Sequence, residues 1–314
     1  MNEKLPAVYS RMNKMFEMPP STGEKNQKRP DRLENRDSFE WIDFHQLREI
    51  FAEHVRRSGL DSERMNFVEE EDIIKDPPAF KSPLAGGWYS AKDKKITIHT
   101  LMAEVLATRD KKDARDLILE MVCHEEAHAV SYSHYEEEEE DALFSLMKKG
   151  SIKVQIGFDQ QSIETKGSLI TRSDTKLRWF NEGVTDELAA EVYQEYARRS
   201  GSGEEKKYDS KYPLARIFVR TFCERLGEEC GIPKEIVWQA VVREYLQGTD
   251  LVHGEVAELL NEVFSDKFVA RLARADTKFL ELGPIVMAFR EILDSASAKK
   301  VFLEIASKIR KLTQ

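Results

Sequence analysis

Apolar residues recur at helical spacing in the first half of the chain. Between residues 41 and 55 they fall three or four positions apart, which predicts an amphipathic helix. A longer helix is predicted for about residues 112–133, because its apolar residues cover more than one face and indicate burial on several sides. The acidic run Glu136–Asp141 is predicted to end this helix as a solvated loop.

Shorter segments around the long helix have strand character. Gly86–Ser90 and Lys95–His99 flank a turn-like sequence and predict a β-hairpin, since apolar and polar residues alternate in the second segment. Three further short strands are predicted at residues 65–74, 153–158 and 167–171. The last two are expected to belong to an irregular insertion.

Helices dominate the second half of the chain. One is predicted to begin near Asn181 and to end near Arg199. From Tyr212 onward the pattern predicts helices only, with breaks at residues 231–233, 248–250 and 283–284. The order of elements predicts an α+β fold, in which a small mixed β-sheet lies over the long helix and a mainly helical C-terminal region follows.

Composition excludes several functional classes. The chain has 314 residues, of which 41% are hydrophobic, and a formal net charge of −9. This acidic balance argues against nucleic acid as a partner, because phosphate binding needs clustered Lys and Arg. No apolar stretch reaches the roughly 18–20 residues of a membrane span, so no membrane partner is expected. Three cysteines and an N-terminus without a signal-like apolar region predict a cytoplasmic location.

The long helix contains His124-Glu125-Glu126-Ala127-His128, the pattern H-E-x-x-H. Residues four apart share one helical face, so both imidazoles can bind one metal ion. Zinc is the expected ion, because catalytic zinc sites combine three protein ligands with a water molecule. Glu125 then lies where its carboxylate can meet that water and act as general base. Glu126 is predicted to point away from the metal, since it lies two positions from each histidine.

Two residues compete as the third ligand. The first is Glu182, which shares a helical face with Asp186 one turn later. An acidic neighbour suits a zinc site, because ligating histidines usually donate their second N–H to a carboxylate or carbonyl oxygen. The second is His134, which would complete the pattern H-E-x-x-H-x-x-S-x-x-H. This pattern resembles that of the metzincins, but Ser131 stands where they have a turn-permitting glycine.

The H-E-x-x-H pattern is followed by Asn181-Glu182-Gly183-Val184-Thr185-Asp186. Together the two motifs resemble the gluzincins, the thermolysin-type and related zinc metallopeptidases. The resemblance implies a zincin-like fold, hydrolysis of peptide bonds, Glu182 as the third zinc ligand and Asp186 as the partner of His124. It departs in spacing, since Glu182 follows His128 by 54 positions. That separation is longer than in thermolysin-like enzymes and requires an insertion.

The predicted activity is therefore that of a zinc-dependent metallopeptidase acting on a peptide or protein substrate. A hydrogen-bond donor for the oxyanion is expected. Its candidates, each of which also fits an ordinary packed or exposed side chain, are Tyr132, Tyr193, Tyr212 and His253. Two alternatives stay open: an intracellular regulatory protease specific for one partner, and a catalytically silent metal-binding or interaction module.

Three regions follow from these patterns. Residues 1–38 are predicted to form a disordered basic arm, since residues 1–36 carry a net charge of +3. A role as a prosegment or targeting address stays open for this arm. Residues 39–200 are predicted to form the zincin-like catalytic region, and residues 201–314 a helical region that completes the cleft.

Overall fold

The computed structural model describes residues 39–75, 86–139, 149–166, 169–201, 206–249, 251, 254–264, 268–269 and 272. The chain divides into two units, Met1–Trp41 and Ile42–Gln314. Only the last three residues of the first unit are described, so the predicted arm at 1–38 lies outside the described residues. Every helix and strand of the described part belongs to the second unit.

Seven α-helices lie within the described residues. They are α1 (Phe44–Arg57), α2 (Thr100–Asp110), α3 (Ala114–Val130), α4 (Arg178–Arg199), α5 (Pro213–Cys230), α6 (Lys234–Gln247) and α7 (Glu255–Val263). None of these seven is long and apolar enough to cross a bilayer. Helices α1, α3 and α4 lie where apolar spacing predicted them, and the break at 283–284 lies outside the described residues.

The strands form two small sheets. The first contains β1 (Ile73–Lys75), β2 (Gly87–Ser90) and β3 (Lys95–Ile98) in the order β1-β3-β2. Strand β3 pairs parallel with β1 and antiparallel with β2, so the predicted hairpin and the predicted mixed sheet are both confirmed. The second sheet is an antiparallel meander of β4 (Ser133–Glu139), β5 (Lys149–Ile156), β6 (Asp159–Lys166) and β7 (Leu169–Lys176).

The prediction of a solvated loop for the acidic run is wrong for residues 136–139, the part of the run that the structure describes. Helix α3 ends at Val130, and residues up to Glu139 form β4. The carboxylate of Glu136 lies 3.1 Å from Lys153 Nζ on β5, the neighbouring strand. Opposite charges on neighbouring strands stabilise β4, although its sequence is almost entirely polar.

The predicted irregular insertion is in fact a regular sheet. Two of its strands, β5 and β7, overlap the predicted segments at 153–158 and 167–171. The sequence analysis missed β6, because Ile163 is the only apolar residue in its sequence DQQSIETK. Most β6 residues are exposed or half-buried, so no hydrophobic face marks the strand.

Helix α3 is buried along most of its length, as its sequence predicted. Asp113 caps the helix by accepting a hydrogen bond from the backbone N–H of Arg115. Every residue from Leu117 to Val130 is buried, including the charged and polar residues of the H-E-x-x-H pattern. Buried ionisable groups are costly unless they are paired or bind an ion, so each needs a partner.

Helix α4 packs against both α3 and α5. Its residues from Trp179 to Ala190 are all buried. Gly183 faces α5 so closely that an added Cβ would lie 2.6 Å from the carbonyl oxygen of Ala215 and 2.9 Å from Val219 Cγ2. The absence of a side chain at Gly183 therefore sets how near these two helices lie.

Gly183→Ala is expected to lower the free energy of unfolding by about 2–3 kcal/mol. The helix propensity of alanine exceeds that of glycine by about 1 kcal/mol. The added Cβ, however, clashes with the backbone of Ala215, and only a shift of α5 can relieve this clash. Gly201→Ala is the comparison, because a Cβ there meets no atom within 4 Å and its φ of +73° causes only local strain. Urea denaturation measures both, and an unchanged midpoint for Gly183→Ala would contradict the packing described.

Candidate metal centre

Helix α3 places His124 and His128 one turn apart on the same face. Both residues are buried, and their ring centroids lie 5.0 Å apart with planes at 82°. This is the arrangement that the spacing of the pattern predicted, because positions i and i+4 lie above one another on a helix.

Glu182 reaches the two histidines from α4. Its Oε2 atom lies 3.3 Å from His124 Nε2 and 3.6 Å from His128 Nε2. The three residues offer ligand atoms that all lie within 4.8 Å of one another. Two atoms bound to zinc at about 2.0–2.1 Å with tetrahedral geometry are separated by roughly 3.3 Å, so the observed distances match a shared ion. The predicted trio therefore forms one group that could hold a metal ion.

The hydrogen bonding of Glu182 also fits an ion that the three side chains share. Glu182 Oε2 is buried and accepts no hydrogen bond from a described residue, although both imidazoles are near. An unsatisfied buried carboxylate oxygen is unfavourable unless an ion or another donor compensates it. This buried oxygen therefore fits an ion shared with the two imidazoles.

The local electrostatics favour a positive charge at this point. Burial alone would raise the pKa of the Glu182 carboxyl, but the imidazoles of His128 and His124 hold that pKa well below its ordinary value. Burial alone would lower the pKa of His124, whereas the carboxylates of Asp186 and Glu182 raise it to about 9. The pocket is therefore one that stabilises a cation, either a proton or a metal ion.

Asp186 lies next to His124, the residue whose partner it is by the resemblance to the gluzincins. It is fully buried, and its Oδ1 atom is 3.3 Å from His124 Nδ1, without the alignment of a hydrogen bond. The Tyr208 hydroxyl donates to Oδ1 at 2.8 Å, and the Ser210 hydroxyl donates to Oδ2. Both hydroxyls come from residues 206–212, which we term the strap.

His128 has a different neighbour, which the motif analysis did not assign. Thr185 Oγ1 lies 3.4 Å from His128 Nδ1 and donates its own proton to the Asn181 carbonyl oxygen at 2.9 Å. With its own proton directed to Asn181, Thr185 Oγ1 can accept from a protonated His128 Nδ1, which is the tautomer that leaves the Nε2 lone pair for a metal. The Tyr245 hydroxyl lies 2.9 Å from Thr185 Oγ1 and donates its proton to the Ala127 carbonyl oxygen at 2.9 Å.

Glu125 is buried between the first sheet and the strap. A Cβ added to Gly87 of β2 would lie 3.1 Å from Glu125 Cγ, so the strand backbone passes close to this side chain. On the other side, Lys211 Nζ lies 3.5 Å from Glu125 Oε1. The strap thus brings a cation to the residue predicted as general base.

Glu126 is directed away from the group, as predicted. It accepts a hydrogen bond from the backbone N–H of Val68 at 3.1 Å and is buried. Burial raises the pKa of its carboxyl to about 8. Its role is to attach the segment before β1 to helix α3.

The metzincin-like alternative for the third ligand is wrong. His134 is exposed on β4, opposite Gln155 of β5, and does not belong to the metal-binding group. The physical reason is Ser131, whose φ of −69° and ψ of 163° take the chain directly into an extended strand. The turn that would return His134 to the helix does not form.

The four candidates for an oxyanion donor have different positions. The Tyr212 ring stacks on His124, with centroids 5.6 Å apart and planes at 25°. Tyr193 is buried two turns beyond Asp186 and lies against Tyr208, whereas Tyr132 is 39% exposed beyond the end of α3. His253 lies outside the described residues. Of the described candidates, Tyr212 is therefore the one whose ring contacts a potential metal ligand, His124.

Sequence reasoning missed Tyr245, Lys211 and the two strap hydroxyls. No motif or periodicity marks them, because each reaches the site from a helix or loop distant along the chain. A comparison of the chain with family models, with curated proteins and with solved structures found no match. The metal-binding group is thus supported by its two sequence motifs and by its own geometry.

Proposed function

We propose that this protein is a zinc-dependent metallopeptidase. His124, His128 and Glu182 would hold the ion, and Glu125 would be the general base. The observation that carries the proposal is the approach of three potential ligand atoms to within 4.8 Å of one another, next to Glu125. Two histidines and a glutamate are a ligand set that catalytic zinc sites use.

The donor set favours zinc over a harder cation. Calcium and magnesium take oxygen ligands, whereas imidazole suits zinc and its neighbours among the transition metals. Three protein ligands leave a fourth position open, which is typical of catalytic sites and not of structural ones. Zinc bound there would lower the pKa of a water molecule toward about 7 and polarise a substrate carbonyl.

Glu125 would transfer the proton during hydrolysis. Its carboxylate would accept a proton from the attacking water and pass it to the nitrogen of the leaving amine. Water adds to the carbonyl carbon and the C–N bond breaks, so the products are a carboxylic acid and an amine. Tyr212, stacked on His124, would donate a hydrogen bond to the oxyanion.

The first sheet offers a surface for an extended peptide. Strand β2 is one of the two edge strands in the described order β1-β3-β2, and its residue Gly87 lies against Glu125. A substrate backbone paired with β2 would bring a peptide carbonyl toward the potential ligands. This arrangement belongs to the zincin-like fold that we propose for residues 39–200.

We further propose that the protein works in the reducing cytoplasm. Cys123 and Cys223 are both buried free thiols. Burial raises the pKa values of Cys123 and Cys223, so both fit inert packed thiols. Free cysteines of this kind are usual where disulfides do not persist.

Removal and return of the metal tests the proposed function. The protein, stripped with a chelator, is expected to cleave no member of a mixed peptide library or of a denatured protein extract. About one equivalent of zinc per chain should restore cleavage, because three ligands define one site. Mass spectrometry of the products measures this, with magnesium as the control cation. Stoichiometric zinc binding without any cleavage would overturn a general peptidase and leave two alternatives, a protease specific for one partner and a silent metal-binding module.

A further inference from the structure

The strap follows one face of helix α3 toward the metal centre. Near its start, Lys206 Nζ lies 2.6 Å from Asp116 Oδ1. Further on, the backbone N–H of Asp209 donates to Glu120 Oε1 at 3.0 Å. Asp116 and Glu120 precede His124 at intervals of four residues, so all three share one helical face. The strap is thus fixed along the helix that carries both histidines.

The strap ends on the H-E-x-x-H pattern itself. Lys211 Nζ lies 3.5 Å from Glu125 Oε1, and the Tyr212 ring stacks on His124. Between these two anchored ends, Tyr208 and Ser210 direct their hydroxyls to the two oxygens of Asp186. The strap therefore contacts the site through groups of three kinds: two hydroxyl donors, a cation and an aromatic ring.

The two hydroxyls fix the orientation of Asp186. Tyr208 is buried, and Asp186 has no exposed surface, so neither hydrogen bond can be replaced by solvent without opening the site. A carboxylate held at both oxygens keeps Oδ1 beside His124 Nδ1, 3.3 Å away. Groups that hold the partner of a ligating histidine raise metal affinity, because they reduce the freedom that binding must remove.

We propose that the strap sets the metal affinity of the site through two opposing contributions. Tyr208 and Ser210 are positioning residues that strengthen binding by holding Asp186 against His124. Lys211 weakens binding, because its ammonium group places a positive charge beside the group that receives the cation. This inference rests on the proposed metal site and does not depend on peptide hydrolysis.

The opposite signs distinguish this proposal from simple packing. If the strap only covered the site, any substitution that loosened it would weaken metal binding. Lys211→Met instead removes a like charge and leaves Glu125 as an unpaired carboxylate near the ion. We therefore expect Lys211→Met to bind zinc more tightly than the wild type, and a variant without the Tyr208 and Ser210 hydroxyls to bind it less tightly.

The test is a zinc titration of the full chain in competition with a chromophoric chelator. Tyr208→Phe with Ser210→Ala should weaken zinc binding by about tenfold to a hundredfold. Lys211→Met should tighten it by roughly threefold to tenfold. Tyr196→Phe is the matched control, since the Tyr196 hydroxyl accepts from the backbone N–H of Asp43, which precedes helix α1. Thermal denaturation without metal checks that each variant folds.

The outcomes separate the inference from the proposed function. If the Tyr208/Ser210 variant bound zinc with wild-type affinity, or Lys211→Met bound it more weakly, the inference would be overturned but the proposed metal site would not. No zinc binding by the wild type would overturn both. The absorption spectrum of bound cobalt gives a second readout: altered ligand geometry at His124 should change it in the Tyr208/Ser210 variant and leave it unchanged in Tyr196→Phe.

Discussion

Hydrolysis by the zinc-loaded protein is expected to fall by about a hundredfold to ten-thousandfold when Glu125 is replaced by glutamine. The amide has nearly the same shape as the carboxylate but cannot accept the proton of the attacking water. Zinc should remain bound, because Glu125 is not among the three residues whose atoms converge. The measurement pairs zinc content per chain with the rate of product formation from a cleaved peptide.

The neighbouring glutamate provides a matched control for this substitution. Glu126→Gln makes the same carboxyl-to-amide change at the next position of α3, but the Glu126 side chain accepts from the Val68 N–H and is directed away from the metal-binding group. Glutamine can still accept that hydrogen bond, so activity should stay within about threefold. Equal rates for Glu125→Gln and the wild type would show that another group moves the proton.

The sequence predicted those parts of the site that depend on local geometry. His124 and His128 share a face because of helical periodicity, and the buried helix around them followed from its apolar residues. Glu182 and Asp186 were found in the same way, from a second motif on a second helix. The relation between positions i and i+4 placed each pair on one helical face, whereas the resemblance to the gluzincins implied that the second pair meets the first.

The structure also accounts for the long separation between the two motifs. The residues between His128 and Glu182 include the meander β4 to β7, which leaves helix α3 at Ser133 and ends at Lys176, two residues before α4. Each antiparallel strand reverses the previous one, so the insertion begins and ends near the same place. Helices α3 and α4 therefore pack against each other despite the long separation of the two motifs along the chain.

The parts that sequence reasoning missed depend on contacts between distant segments. Tyr245 reaches Thr185 from α6, and Lys211 reaches Glu125 from a strap without hydrophobic periodicity. Strand β6 escaped detection for a related reason, since both of its faces are polar or half-exposed. Propensity and periodicity contain no information about such contacts, which tertiary packing determines.

Glu182→Ala is expected to weaken zinc binding by at least about a hundredfold. Four-ligand zinc sites in small peptides bind with about 10–16 kcal/mol, or roughly 3 kcal/mol for each ligand. A loss of that size is about two powers of ten in the dissociation constant. The substitution also removes the negative charge that both imidazoles face, which adds to the loss. Competition with a chelator of known affinity measures the change, and circular dichroism verifies the fold.

Glu191→Ala serves as the control on the same helix. Glu191 is a half-buried glutamate that accepts from Trp238 Nε1 at 3.1 Å and does not belong to the metal-binding group. Its removal should cost stability but leave zinc affinity within about twofold, because the ligands and their partners stay in place. Zinc retained by Glu182→Ala at wild-type affinity would exclude Glu182 as a ligand. With His134 exposed on β4, that result would require the third ligand to come from outside the described residues.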